Sequence, residues 1–134
     1  MIHILKMTIK TLTGVTPAEA LVATKYESAR QLRDRTKTLA RKALGEGTAL
    51  IKLQALVNTC ESLTEKRNDL VHGLWAKELD GDAHIRDAYG NEHPVPTIAE
   101  LKALANDIDA HTQHLNRERL EGFLLEALRK RSNA

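Results

Sequence analysis

An apolar stripe between residues 50 and 74 limits the folds that are open to this chain. Leu, Val and Cys recur there every three or four residues, at positions 50, 53, 56, 57, 60, 63, 70, 71 and 74. This spacing lines one side of an α-helix and predicts a long amphipathic helix. Gly73 suits the left-handed position just beyond a helix C-terminus, so we expect the helix to end there.

Start and stop signals predict further helices before this stripe. Ile2–Thr13 carries apolar residues at helical spacing and is followed by Gly14. Thr16-Pro17-Ala18-Glu19 has the pattern of a capping box with proline in the first turn, so a second helix begins there. Helical spacing then continues to Gly45. A break near Ala23 is expected, because Thr24 and Glu27 repeat the capping-box spacing.

Turn signals dominate the region after the stripe. Asp80-Gly81 is typical of a two-residue hairpin turn and would join Trp75–Leu79 to Asp82–Ala88. Tyr89-Gly90-Asn91 predicts a second turn. A capping box at Thr97-Ile98-Ala99-Glu100 then opens the last major helix, in which Gly122 is a weak point.

These elements predict an all-α fold in a single domain over residues 1–134. We expect a helical bundle of four to five helices, with a small β-hairpin inserted before the last major helix. Aromatic residues make up only 3% of the chain, so the core must consist of aliphatic side chains. Such a core favours packed helices over a β-sandwich.

Charge and cysteine content narrow the function classes. Lys and Arg number 20 against 18 Asp and Glu, and this net charge of +2 permits nucleic-acid binding without arguing for it. Cys60 is the only cysteine, which excludes an intrachain disulfide and a cysteine-based metal site, and we expect it to be a buried thiol. No apolar run reaches the roughly 18 residues of a membrane span, and the N-terminus lacks the pattern of a secretion signal. We therefore expect a cytoplasmic protein that has no membrane partner.

The known motifs of metal and cofactor chemistry are absent from the sequence. It contains no glycine-rich phosphate loop, no His-Glu-x-x-His pair and no nucleophile elbow, so we expect neither a cofactor nor a metal. His111 and His114, with Asp107 four residues before His111, have a spacing that could hold a metal weakly. The preferred interpretation is that these are surface or packed histidines.

Arg67 interrupts the apolar stripe at a position where another aliphatic residue is expected. A buried guanidinium is costly unless it meets an anion or a carboxylate. Two interpretations stay open: an anion-binding arginine, or a structural salt bridge with Glu100, Asp107 or an acidic residue of the second helix.

His72 is the second candidate in this segment. If the helix ends at Gly73, His72 lies in its last turn, where the macrodipole favours the imidazolium form that a general acid needs. Asn68, four residues back, could orient the ring, and Asp69, three residues back, could stabilise its cation. A plain helix-capping histidine is the alternative.

The helical spacing of these two residues also predicts an assembly. Arg67 and His72 are five residues apart, so they point about 140° away from each other on a regular helix. In a single chain, the two side chains would not readily contact the same small ligand. A two-fold dimer, however, places two arginines and two histidines around a common groove. We therefore expect a homodimer.

The segment Glu65-Lys66-Arg67-Asn68-Asp69-Leu70-Val71-His72-Gly73-Leu74-Trp75 resembles the signature of the HEPN superfamily. That signature is an arginine, a polar residue, and a histidine after four to six positions. The resemblance covers about Leu50–Trp75 and is architectural elsewhere, where the hairpin and the capped last helix look like a bacterial HEPN-like group. The first helix, Ile2–Thr13, is shorter than is usual in the family.

The resemblance implies a bundle of four or five helices, usually dimeric, with the motif at the cleft between protomers. Many members are metal-independent endoribonucleases, often toxins or phage-defence effectors, in which the 2′-hydroxyl of RNA attacks the adjacent phosphate. On this chain His72 would transfer the proton, Arg67 would hold the phosphate, and Asn68 or Asp69 would orient His72.

Other family members are inactive, or serve as regulatory and binding modules. The competing prediction is thus a non-catalytic dimeric module that binds a protein partner or a nucleotide, with Arg67 as an internal ion-pair residue. A regulatory component of a toxin–antitoxin pair, acting on a cognate protein partner, is a third possibility.

Overall fold

The structure is a computed structural model that describes the backbone of residues 1–80, 84–86, 92–94 and 96–132, and the side chains of residues 1–72 and 96–131. Most of the described residues are helical, which confirms the predicted all-α class. The helices are Ile2–Thr13 (α1), Pro17–Ala23 (α2), Ala29–Leu44 (α3), Thr48–Asp80 (α4), Ile98–Leu120 (α5) and Phe123–Ser132 (α6). Two short strands, His84–Arg86 (β1) and Glu92–Pro94 (β2), lie between α4 and α5.

The first two helices begin and end as their signals predict. Gly14 ends α1 in the left-handed region at φ 72°, and its N–H donates to the Lys10 carbonyl at 3.0 Å. The Thr16 hydroxyl accepts from the Glu19 N–H at 3.2 Å, and the Glu19 carboxylate accepts from the Thr16 N–H at 3.4 Å. This reciprocal pair is the predicted capping box of α2.

The predicted break after Ala23 is confirmed, but a different residue pair caps the next helix. Ser28 and Gln31 form the capping box of α3, not Thr24 and Glu27. Thr24 is buried, and its hydroxyl donates to the Ala20 carbonyl of α2 at 2.7 Å. Its side chain therefore bonds to the C-terminal end of α2 and does not cap the N-terminus of α3.

The predicted end of the long helix at Gly73 is wrong. Helix α4 continues through Gly73 to Asp80. A glycine inside a helix costs about 1 kcal/mol relative to alanine, and the strong helix formers that follow Trp75, in Ala76-Lys77-Glu78-Leu79, offset that cost. A single glycine is thus too weak a stop signal where good helix formers follow it.

The hairpin predicted about Asp80-Gly81 is also wrong, because α4 continues past Gly73 to Asp80. Its first strand, Trp75–Leu79, belongs to α4. Strands β1 and β2 pair antiparallel, with Ile85 opposite His93 at the centre of the register. The second predicted turn, Tyr89-Gly90-Asn91, lies outside the described residues.

The last two helices follow the predicted signals. The Thr97 hydroxyl accepts from the Glu100 N–H at 3.2 Å, where α5 begins. The helix is interrupted at Gly122, as expected, and the Glu118 carboxylate accepts from the Phe123 N–H at 2.9 Å, where α6 begins. A side chain near the end of α5 thereby satisfies a donor at the start of α6.

The chain divides into two compact units, and α4 and α5 contribute residues to both. The first unit comprises residues 1–61 and 110–134, and the second comprises residues 62–109. The core of the first unit is aliphatic, and its fully buried side chains include Leu5, Leu32, Leu53, Leu115 and Leu124. Thr8 and Thr36 are buried among them, and each donates its hydroxyl to the carbonyl four residues earlier, so their burial leaves no donor unpaired.

Candidate functional site

The segment that carries the predicted site lies on α4 within the second unit. Leu63 is buried there, and Leu70 and Val71 are half-buried. The four candidate side chains at positions 67, 68, 69 and 72 are all exposed. The apolar residues of the stripe are thus at least half covered at this level of α4, whereas the candidate side chains reach the solvent.

The expected burial of Arg67 is wrong, although the residue falls at a stripe position. Its side chain is exposed, and Nη1 donates to the Asn68 Oδ1 at 3.3 Å. A long aliphatic stem can follow an apolar surface while the charged head stays in water, so one arginine does not have to break the stripe. Among the side chains that the structure describes, no carboxylate of α2, α3 or α5 pairs with Arg67, and the guanidinium has donors free for an anion.

The prediction that His72 lies in the last turn of its helix is wrong as well. Helix α4 runs to Asp80, so the carbonyl groups at its C-terminal end lie two turns beyond His72. The helix macrodipole acts within the last turn only, so His72 lies beyond its reach. Any acid–base role of His72 has to come from groups that approach it across the exposed surface.

The regular helix fixes the relative directions of the candidate residues. Arg67 and His72 point about 140° apart and are separated by about 7.5 Å along the axis. Asn68 and His72 share a face at the i, i+4 spacing, and Asp69 lies one turn before His72. Within the described side chains, no hydrogen bond joins His72 to Asn68 or Asp69. Among the four candidate side chains, one hydrogen bond is therefore formed, from Arg67 to Asn68.

His111 and His114 lie outside this segment, near the C-terminal end of α5. His111 is half-buried and its Nε2 donates to the Leu56 carbonyl of α4 at 2.9 Å. Burial lowers the pKa of His111, the hydrogen bond to Leu56 partly offsets that effect, and nearby His114 lowers the pKa further. His114 is exposed and lies 3.5 Å from the Glu118 carboxylate. His111 is therefore a packed histidine and His114 a surface one.

Cys60 is buried in the first unit, as predicted. Burial raises the pKa of its thiol from 9.0 to about 11, and the positive charges of the N-terminus and Arg33 only partly counter this. A thiol with such a pKa is almost wholly protonated near neutral pH, and the thiolate is the nucleophilic form. Cys60 is therefore a core residue, not a nucleophile.

Sequence reasoning missed a group of cationic residues on α3. Lys37, Arg41 and Lys42 line a surface groove together with Thr38 and Gln54. The signal was present, because Lys37 and Arg41 stand at the i, i+4 spacing that places two side chains on one helix face. The net charge of +2 for the whole chain does not reveal this local group.

Comparison with protein-family models, with curated proteins and with solved structures finds no match to this chain. Among the helices that the structure describes, none is both long enough and apolar enough to cross a membrane. No group of three or more His, Cys, Asp and Glu side chains in the described part of the chain is arranged to hold a metal ion.

Proposed function

We propose that this chain is a HEPN-like protein, a metal-independent endoribonuclease whose site is the exposed segment Arg67–His72 of α4. The observation that carries the proposal is the exposure of Arg67 on a helix where the described carboxylates leave it unpaired. An exposed guanidinium with free donors can take a phosphate in the forked geometry that arginine favours. The same exposure weakens the competing interpretation of Arg67 as an internal ion-pair residue.

The reaction needs only the RNA and the protein side chains. The 2′-oxygen of RNA forms a bond to phosphorus while the bond from phosphorus to the 5′-oxygen breaks. The products are a 2′,3′-cyclic phosphate and a free 5′-hydroxyl. One proton leaves the attacking hydroxyl and one reaches the leaving oxygen, and transfer by His72 would contribute about 10²- to 10⁴-fold in rate. Arg67 would stabilise the charge that develops on the phosphate oxygens.

The site requires two copies of the chain. Since Arg67 and His72 of one helix diverge by about 140°, a single copy cannot readily aim both at one phosphate. A two-fold axis beside this part of α4 would bring two arginines and two histidines to one groove. His72 of one copy would then donate a proton to the leaving oxygen while water accepts the proton of the 2′-hydroxyl, and Arg67 of the other copy would hold the phosphate. Asn68 and Asp69 would orient the rings.

The test is an RNA-cleavage assay on purified protein with single-stranded and structured RNAs. Wild type should produce fragments that end in a 2′,3′-cyclic phosphate, and His72→Ala should lower the rate by at least about 100-fold. His3→Ala is the matched control, because His3 is an exposed histidine on α1 of the other unit. Intact RNA with wild type, or equal rates for wild type and His72→Ala, would refute the proposal.

One observation favours a second candidate, a non-catalytic dimeric module that binds a protein partner or a nucleotide. His72 is exposed and lacks a positioning hydrogen bond to Asn68 or Asp69, whereas a proton-transfer residue is normally held in place. This candidate predicts that the protein binds RNA or a cognate protein without cleaving the RNA. A toxin–antitoxin component would belong to this second class.

A further inference from the structure

The charges of the chain are divided unequally between its two units. The first unit, residues 1–61 and 110–134, has 15 Lys and Arg against 8 Asp and Glu, a net charge of +7. The second unit, residues 62–109, has 5 against 10, a net charge of −5. The charge of +2 for the whole chain therefore conceals a strongly basic unit, and a unit of this sign attracts polyanions.

Three of the 15 basic residues of the first unit lie along one face of α3. They are Arg30, Lys37 and Arg41, which stand seven and four residues apart, whereas neighbouring Arg33 is half-buried with its Nη1 atom enclosed. This spacing aligns them along about 16 Å of the helix. A neighbouring face buries Leu32, Thr36, Ala40 and Leu44, so the core fixes the direction in which the basic face points.

The basic face borders a groove between α3 and α4 that has a volume of about 410 Å³. Five side chains line the groove: Lys37, Thr38, Arg41, Lys42 and Gln54. Three are cationic, none is acidic and none is aromatic. The Thr38 hydroxyl donates to the Asp34 carbonyl at 3.1 Å, so the donors that remain are the cations and the Gln54 amide.

The cations of the groove are available to an external anion. Among the described side chains, no carboxylate lies within ion-pair distance of Lys37 or Lys42. Arg41 is 3.5 Å from Glu46 through its Nε, and both of these side chains are largely exposed. An exposed pair of this kind contributes little, about 0 to 1 kcal/mol, so a phosphate can compete for the guanidinium.

We propose that this groove, named here the α3–α4 groove, binds the phosphate backbone of single-stranded RNA as a second contact in addition to the proposed cleavage site. Lysine, arginine and amide donors are the groups that hold phosphate oxygens. Since no aromatic side chain lines the groove, it offers no platform for base stacking and should not read sequence. The choice of RNA over other polyanions rests on the proposed function.

The test measures binding separately from cleavage. A labelled 2′-O-methyl RNA strand keeps the phosphates but lacks the attacking hydroxyl, so its affinity for the full chain can be titrated by fluorescence anisotropy. Lys37→Gln with Arg41→Gln removes two groove cations. The matched control, Arg117→Gln with Lys130→Gln, removes the same two residue types from exposed positions of the same unit outside the groove. Thermal unfolding followed by circular dichroism verifies that both double variants fold.

The groove variant should bind at least about tenfold more weakly than wild type, and its slope of log affinity against log salt should be shallower by about 1.4, the value for two lost phosphate contacts on a single strand. The control variant should lose less than about threefold in affinity. Equal losses in the two variants would indicate binding by diffuse charge and would overturn the proposal. No loss in either variant, or no binding by wild type, would overturn it as well.

Sedimentation at low salt tests the rival occupant, the acidic unit of a second copy. The contrary outcome is that wild type sediments as an oligomer while the groove variant sediments as a monomer with unchanged RNA affinity. In that case the acidic unit of a second copy fills the groove, and the proposal fails. Cleavage is scored separately with unmodified RNA. If the groove variant loses binding as expected while wild-type protein cleaves nothing, the groove stands and the proposed function fails.

Discussion

At the residue scale, the fold acts on the protonation of His111. Its Nε2 donates to the Leu56 carbonyl, and partial burial lowers its pKa below the ordinary value of 6.5. The folded chain therefore favours the neutral ring, whereas the unfolded chain takes up a proton once the pH falls to about 6.5. The stability that this preference contributes is present above pH 6.5 and is lost as the pH falls through the folded-state pKa.

We therefore predict that acid destabilises the protein partly through His111. Urea unfolding at about pH 7.5 and about pH 5 should show a smaller loss of unfolding free energy for His111→Gln than for wild type. The amide can still donate to the Leu56 carbonyl but does not titrate. His3→Gln, at an exposed position, should behave as wild type does. An unchanged acid dependence in His111→Gln would assign the effect to other groups.

Arg67 gives a second prediction at this scale, because its exposure separates the proposed role from a structural one. Arg67→Ala removes a hydrogen bond to Asn68 that lies on the surface. Substitutions at such positions usually change stability by less than about 0.5 kcal/mol, so the melting temperature should stay within about 2 °C of wild type. A large fall in melting temperature would restore the ion-pair interpretation.

At the element scale, local signals placed the helix starts at Thr16 and Thr97 and the helix end at Gly14, but misplaced the end of α4. Thr16 and Thr97 start helices because the cap is a contact between neighbours in sequence, and short-range patterns describe it fully. Gly73 did not end α4. Whether a helix ends at a glycine depends on whether the helix propensity of the following residues outweighs the cost of that glycine. The exposure of Arg67 could not be predicted from the sequence either, because it depends on which other elements cover that face of α4.

The continuity of α4 through Gly73 can be tested with two glycine substitutions. Gly73→Ala should stabilise the protein by about 0.5 to 1 kcal/mol, because alanine is the better helix former. Gly14→Ala should destabilise it, because Gly14 has a φ of 72° and an alanine is strained there although a Cβ would meet open space. Both values come from denaturant unfolding. Destabilisation by Gly73→Ala would mean that α4 ends there after all.

At the scale of the whole molecule, the division of charge is the property that the sequence concealed. The counts of acidic and basic residues were available from the start, but assigning them to units required the fold, because the first unit joins residues 1–61 with residues 110–134. The candidate residues Arg67, Asn68, Asp69 and His72 could be selected from the sequence. Their common exposure could not, whereas the requirement for a second copy of the chain follows from the five-residue spacing of Arg67 and His72.

A subunit-mixing experiment tests the proposed two-chain site most directly. Arg67→Ala and His72→Ala proteins are assayed for cyclic-phosphate-ended RNA fragments alone, and again after being unfolded and refolded together. Each variant alone should be at least about 100-fold slower than wild type, and the mixture should regain activity, because mixed dimers hold one intact Arg67 and one intact His72. Wild-type protein that leaves RNA intact, or a mixture that is no faster than the variants alone, would contradict the account.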